Sequence, residues 1–159
     1  MFQRALFAFL ALPGVFAFLV PLLVTRALGE PAHPGIAAIA VALVGVAGLL
    51  WCVWSFYTTG RGTLAPWSPP EHLVTHGLYR FSRNPMYCSV LLLVSGWALL
   101  FQSTTLAAYT AALAVGFHVR VVFGEEPWLA EKFGEQWHQY SHRVNRWAGR
   151  ASRHPLSDA

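Results

Sequence analysis

The sequence predicts an all-α integral membrane protein, with four transmembrane helices plus a C-terminal amphipathic cytoplasmic helix. Three observations carry this. Hydrophobic residues make up 55% of the chain and charged ones 11%, against roughly a quarter charged in ordinary soluble domains. Mean hydropathy is +0.45. Four apolar runs approach the length that crosses about 30 Å of hydrocarbon at about 1.5 Å per residue. The basic residues are then shared unevenly between the two ends of these runs. At 159 residues there is room for a single domain, taken as residues 1–159.

The first run, Ala5–Val24, is uninterrupted. Pro13 and Pro21 are expected to kink it, which membrane helices tolerate. It is too long, and lacks the small-residue cleavage site, for a removable signal peptide. Thr25–Pro34, with Arg26, Glu30 and His33, reads as a short connection. Gly35–Tyr57 is the second span. Trp51, Trp54 and Tyr57 at its end form an interfacial aromatic belt, and Gly45, Ala47 and Gly48 allow close helix contact. Thr58–Pro85 is the longest polar segment, too rich in Gly and Pro for one regular element. Met86–Gln102 is the third span and Thr105–Phe123 the fourth, joined by a tight turn at Ser103-Thr104 into an antiparallel hairpin.

The last segment differs in kind. From Trp128, the residues Leu129, Phe133, Trp137, Tyr140, Val144 and Trp147 recur at steps of four or three. Glu131, Lys132, Glu135, Gln136, Gln139 and Arg143 occupy the other face. This pattern predicts one amphipathic helix, lying on the membrane surface or closing over the hairpin, with a frayed tail after Trp147.

Charge sets the topology. Arg4, Arg61, Arg80, Arg83, Lys132, Arg143, Arg146, Arg150 and Arg153 fall on one side of the four-span arrangement, and Arg26 falls opposite. The positive-inside bias places both termini in the cytoplasm. A net charge of +4 does not imply nucleic acid, because the basic residues form no single stripe with reading aromatics. Cys52 and Cys88 lie inside apolar runs with no ligand spacing, and each reads as a small buried hydrophobe.

Two polar clusters stand out. The first is Gly77–Tyr87, GLYRFSRNPMY. Pro85 lacks an amide donor and turns Asn84 away from helix, which makes a shaped boundary before the third span. A cationic membrane anchor is the plain reading of its arginines and aromatics. The second cluster, Glu125-Glu126-Pro127, shifts the balance. Carboxylates favour a helix start, and Pro is favourable there too. Yet two adjacent carboxylates at the end of a membrane helix need solvent or partners. Arg120 and His118 are ionisable groups within an apolar run and so are candidate site residues. His72 and His76, and His138 and His142, have helical spacing but no adjacent His pair. Surface histidines are expected, with no metal site. No GxSxG, P-loop or strand-linked GxGxxG occurs.

These motifs resemble a known family. Leu73-Val74-Thr75-His76-Gly77-Leu78-Tyr79, Arg83-Asn84-Pro85-Met86-Tyr87, Glu125-Glu126-Pro127 and Phe133-Gly134 with Trp137 and Tyr140 are similar to the isoprenylcysteine carboxyl methyltransferases. The membrane phospholipid N-methyltransferases share the Asn-Pro-Met-Tyr and Glu-Glu-Pro pieces. The likeness covers about residues 60–147. It implies S-adenosylmethionine as cofactor, held by Leu73, Val74, Tyr79, Asn84, Pro85, Met86, Tyr87 and Glu125. Arg120 and Glu126 are the candidate catalytic residues, orienting the acceptor. Two departures bear on the acceptor. The carboxyl methyltransferases have His where this chain has Asn84, and their carboxylate-binding Arg aligns with Val121, next to Arg120.

The resulting expectation is an integral membrane methyltransferase that takes S-adenosylmethionine from the cytoplasm. Its acceptor is a lipophilic carboxylate, amine or thiol arriving from the membrane lipids, and no nucleic-acid partner is expected. An NADPH-dependent membrane reductase and a non-catalytic membrane scaffold are the rival readings. The first lacks a clear basic pocket for its extra phosphate.

Overall fold

A computed structural model describes residues 10–55, 58 and 72–149. The expected start of the first span before Leu10, residues 59–71 of the Thr58–Pro85 segment, Tyr57 and the tail from Arg150 lie outside the described residues. Every described element is helical: α1 (Leu10–Leu19 in wide π turns, then Val20–Leu28), α2 (Ile36–Ser55), a 3₁₀ turn (Gly77–Arg80), α3 (Pro85–Phe101), α4 (Thr104–Arg120), a π turn (Val121–Glu125), α5 (Glu126–Phe133) and α6 (Glu135–Arg143).

The first boundary moves. The sequence ended the first span at Val24, but α1 runs on to Leu28. Thr25 is buried and turns its hydroxyl onto the Pro21 carbonyl at 3.0 Å, so a polar residue is carried within the helix at little cost. Gly29 then closes the helix in the left-handed conformation, its N–H on the Arg26 and Thr25 carbonyls, a common helix ending.

Helices α2 and α3 form the centre of the bundle. A Cβ added to Gly45 would sit 2.6 Å from the Leu93 backbone nitrogen, and one on Gly96 would sit 2.7 Å from the Ala42 Cβ. The two backbones therefore touch where only glycine fits, as the small residues of α2 led one to expect. Leu49, Val90, Leu93 and Val94 fill the core, with Ala17 from α1 and Leu113 and Phe117 from α4 packed against it. The α3–α4 turn forms as predicted, with Gln102 left-handed and Ser103 capping α4 by accepting from the Leu106 N–H at 3.2 Å.

Among the described residues, two helices are long and apolar enough to cross a membrane. These are Ile36–Ser55 (mean hydropathy 2.6) and the continuous Thr104–Phe133 (1.6); Gly14–Leu28 and Pro85–Phe101 are apolar but shorter. The outer surface is itself apolar: Leu23, Ile39, Leu43, Val44, Leu50, Val115 and Phe123 are exposed, as are Trp51 and Trp54 near the end of α2. Such a girdle exceeds what soluble monomers leave bare.

The single amphipathic helix expected at the C-terminal end is two helices. Gly134, at φ +50 and ψ −123, separates α5 from α6, a conformation that residues with a Cβ adopt at a steric cost. The apolar stripe survives the break. Trp137, Tyr140 and Val144 are buried against Leu73, Leu129, Ala130 and Phe133, so α6 folds back on α5 and on the approach to the 3₁₀ turn.

Candidate functional site

Both polar clusters lie at the same end of the bundle. In the first, the 3₁₀ turn buries Tyr79 with Cys52 and Val74, and the Tyr79 carbonyl accepts from the Tyr140 hydroxyl at 2.8 Å. Arg80 and Phe81 point outward. Ser82 is buried, and its Oγ accepts from the Asn84 N–H at 3.0 Å, which fixes the chain where it enters α3. Pro85 is buried in the first turn of α3. Arg83, unlike Arg80, turns inward.

The second cluster is shaped by the π turn. The Glu126 N–H reaches back to the Val121 carbonyl, five residues earlier, and such widened turns occur often at functional sites. Successive helical residues point roughly 100° apart, so the two carboxylates face different partners. Glu125 Oε1 accepts from the Tyr87 hydroxyl and from Arg120 Nε at 2.8 Å, and Arg120 Nε also lies 3.0 Å from the Tyr87 oxygen. Phe117 stacks on the Tyr87 ring at 4.4 Å. This triad is partly open, with the Arg120 side chain 52% exposed.

Glu126 is more enclosed. Arg83 Nη1 lies 3.0 Å from its Oε1. Arg146 grips it with two bonds, Nε to Oε1 at 2.7 Å and Nη2 to Oε2 at 2.8 Å, the fork geometry that suits Arg. Burial pulls the Arg83 guanidinium below its ordinary pKa, although Glu126 beside it pushes the other way. Its Nε is buried without a hydrogen-bond partner, and its guanidinium carbon lies 5.6 Å from the Trp137 ring. Two guanidiniums on one carboxylate leave this group one positive charge in excess.

Arg146 belongs to a strap, residues 144–149, which returns from α6 across the site. The Arg146 carbonyl accepts from Asn84 Nδ2 at 3.1 Å and from Ser82 Oγ at 3.3 Å. The Arg83 N–H donates to the Asn145 carbonyl at 3.0 Å. Cys88 Sγ donates to the Trp147 carbonyl at 3.5 Å, and Trp147 Nε1 donates to His118 Nδ1 at 3.2 Å.

The residues picked from the sequence thus fall into three groups. Tyr87, Glu125 and Arg120 meet directly, and Asn84 and Glu126 are joined through Arg146. The rest are apolar packing residues: Tyr79, Val74 and Met86 cluster with Cys52, Pro85 is buried in the first turn of α3, and Leu73 belongs to the apolar cluster of α6. Arg120 faces Tyr87 and Glu125, whereas its neighbour Val121 is buried in the core. Cys52 is fully buried as expected, but Cys88 is half-buried and bonded to the strap. Arg83, Arg146 and Trp147 were not singled out. Arg83 lies within the motif and was legible there; Trp147 reads only as the end of the apolar stripe, and nothing local marks Arg146 as a site residue.

The described helices form an apolar bundle with paired carboxylates and arginines at one end. The chain belongs to the phospholipid methyltransferase family, whose model matches residues 35–136. Protein-S-isoprenylcysteine O-methyltransferase A of Arabidopsis thaliana is 34% identical over 76 residues, which are 46% of this chain and 39% of the plant protein. The chain therefore matches well under half the length of that relative. No solved structure matches. The matched family segment contains Tyr79, Asn84, Tyr87, Arg120, Glu125 and Glu126, and ends before the strap.

Proposed function

We propose that the protein transfers a methyl group from S-adenosylmethionine to a lipophilic carboxylate, amine or thiol. The cofactor enters from the cytoplasm and the acceptor from the membrane lipids. Four helices cross the bilayer, with both termini cytoplasmic. The observation that carries this is the meeting of Tyr87, Arg120 and Glu125 at the end of an apolar bundle, beside a cationic group of two arginines and one carboxylate.

The residues fit the cofactor. Its amino-acid end carries a carboxylate and an ammonium. The excess charge of the Arg83–Glu126–Arg146 group and the unpartnered Arg83 Nε suit the carboxylate, and Glu125 suits the ammonium. Val74, Met86 and the Tyr79 region would hold its apolar parts. When bound, S-adenosylmethionine supplies an activated methyl group on a sulfonium centre. The chain's part is then positioning, which can provide much of the acceleration of an in-line displacement. Tyr87 and Arg120 hold the Glu125 carboxylate at a fixed point. Glu126 keeps Arg83 turned toward the site. Arg120, half open and one helical turn from the exposed Phe123, is placed to orient a polar group on an acceptor arriving from lipid. The apolar helices keep water from the transfer.

The test is incubation of purified protein in nanodiscs with methyl-labelled S-adenosylmethionine and a lipid extract. Label is expected in the organic phase, with saturable cofactor binding by calorimetry. Absence of both would remove the methyltransferase reading.

A further inference from the structure

The family match ends at residue 136, yet the strap of residues 144–149 carries Arg146, whose side chain grips Glu126 and whose carbonyl accepts from Asn84 and Ser82. We infer that Arg146 is a positioning residue: it latches the strap over the site, fixes the Glu126 carboxylate, and through its main-chain carbonyl fixes the Asn84 amide. This rests on the methyltransferase reading where it concerns the cofactor.

Three features of the geometry support it. First, both Glu126 oxygens are engaged by Arg146, while Arg83 reaches only Oε1. Without Arg146 the carboxylate keeps a single one-point partner and gains rotational freedom. Second, Asn84 and Ser82 donate to the Arg146 carbonyl, so the chain before α3 is shaped by the same residue. These partners lie more than 60 positions away in sequence, and the bonds are part-buried. Third, the strap continues as Trp147, which covers Cys88 with its carbonyl and stacks its ring on His118 at 6.0 Å. Arg146 and Trp147 of the strap thus tie α5, the α3 entrance and α4 together. The fork matters as well as the charge, since Lys supplies a point charge but not two parallel bonds.

The test uses full-length protein in nanodiscs. The Cys52→Ala background leaves Cys88 as the single thiol, since the chain has two cysteines. The first readout needs no cofactor and is the rate of Cys88 alkylation by a maleimide. Arg146→Ala is expected to raise it at least about tenfold by unlatching the strap, given that hydrogen bonds to charged groups are worth about 1.5–3 kcal/mol and 1.4 kcal/mol is one decade. Arg146→Lys should fall between. The second readout is S-adenosylmethionine affinity in a cycle of Glu126→Gln, Arg146→Ala and the double variant. Each single change should weaken binding roughly tenfold to a hundredfold by the same conversion, and the double should be no weaker than either single, because they act through one contact.

Unchanged thiol rates in Arg146→Ala overturn the latch. Fully additive affinity losses overturn the action through Glu126. A wild-type protein that binds no S-adenosylmethionine sinks the methyltransferase reading and Arg146's part in it, while the thiol rates still decide the latch independently.

Discussion

The Tyr87 phenol and the Arg120 guanidinium meet on one oxygen of Glu125. Tyr87 comes from the first turn of α3 and Arg120 from the last turn of α4, so one carboxylate joins the ends of two antiparallel helices. Its neighbour Glu126 looks the other way, to Arg83 and Arg146. The rotation of roughly 100° between successive helical residues separates them, and the π turn lies just before Glu126, with the Glu126 N–H on the Val121 carbonyl.

Glu125→Gln is therefore expected to fold but to bind S-adenosylmethionine weakly. The amide keeps the shape and can still accept from Tyr87, so stability should change little, as is usual for partly exposed pairs. The charge that would meet the cofactor's ammonium is lost. A loss of roughly tenfold or more follows from the 1.5–3 kcal/mol typical of charged hydrogen bonds. Calorimetric titration beside a thermal melt checks both halves, and an unchanged affinity would remove Glu125 from the site.

Much of this was legible in sequence because it is local. Apolar runs reveal helices whatever they pack against, Ser103 announces its own cap, and the stripe Trp137, Tyr140, Val144 names a buried face before its partner is known. What escaped depends on distance or on a single backbone angle. Gly134 sits inside a sound helical period and breaks it by its φ alone. Thr25 reads as loop because it is polar, yet it satisfies itself on the Pro21 carbonyl. The candidate residues Asn84, Tyr87, Arg120, Glu125 and Glu126 follow from motif and charge; Tyr87, Arg120 and Glu125 meet directly, while Asn84 and Glu126 are joined through Arg146. Trp147 reads only as the end of that stripe and Arg146 as one more basic residue, since their partners in the site lie 20 to 64 positions away.

The α2–α3 contact gives a packing prediction with its own control. Gly45→Leu places a side chain where Leu93 backbone already sits 2.6 Å from an ideal Cβ, so the helices must part. Overpacking of this kind costs about 1–3 kcal/mol, and the melting temperature in detergent should fall. Gly116→Leu on α4 meets nothing within 4 Å and should melt near the wild type. Equal behaviour of the two variants would mean that α2 and α3 do not touch there.

Topology can be read with two single cysteines in a background lacking Cys52 and Cys88. Ala32 and Thr75 are both exposed, at opposite ends of α2. With nine of the loop and terminal basic residues on the Thr75 side and Arg26 on the other, a membrane-impermeant thiol reagent should label Ala32→Cys in intact cells. It should label Thr75→Cys only after permeabilisation. The reverse pattern would invert the protein in the bilayer and expose the site to the wrong compartment for its cofactor.

Arg80 and Arg83 flank Phe81-Ser82 and look equivalent in the sequence, but the fold separates them. Arg80 is exposed at the end of the 3₁₀ turn, where a cation adds about 1 kcal/mol of attraction to an anionic membrane surface. Arg83 has a side chain only 14% exposed, paired with Glu126 and lying by Trp137. Arg80→Ala should therefore leave S-adenosylmethionine affinity within about twofold, since surface substitutions usually stay within ±0.5 kcal/mol. Arg83→Ala removes one of the two partners of an enclosed carboxylate and the group with an unanswered donor, and should weaken binding roughly tenfold to a hundredfold. Asn84→Ala should fall between them, because it loses one neutral bond to the strap, worth about 1 kcal/mol. Titration of the three variants in the same nanodisc gives the order directly. If Arg80→Ala is the most damaging and Arg83→Ala is silent, the stretch Gly77–Tyr87 is a membrane anchor and the site lies elsewhere.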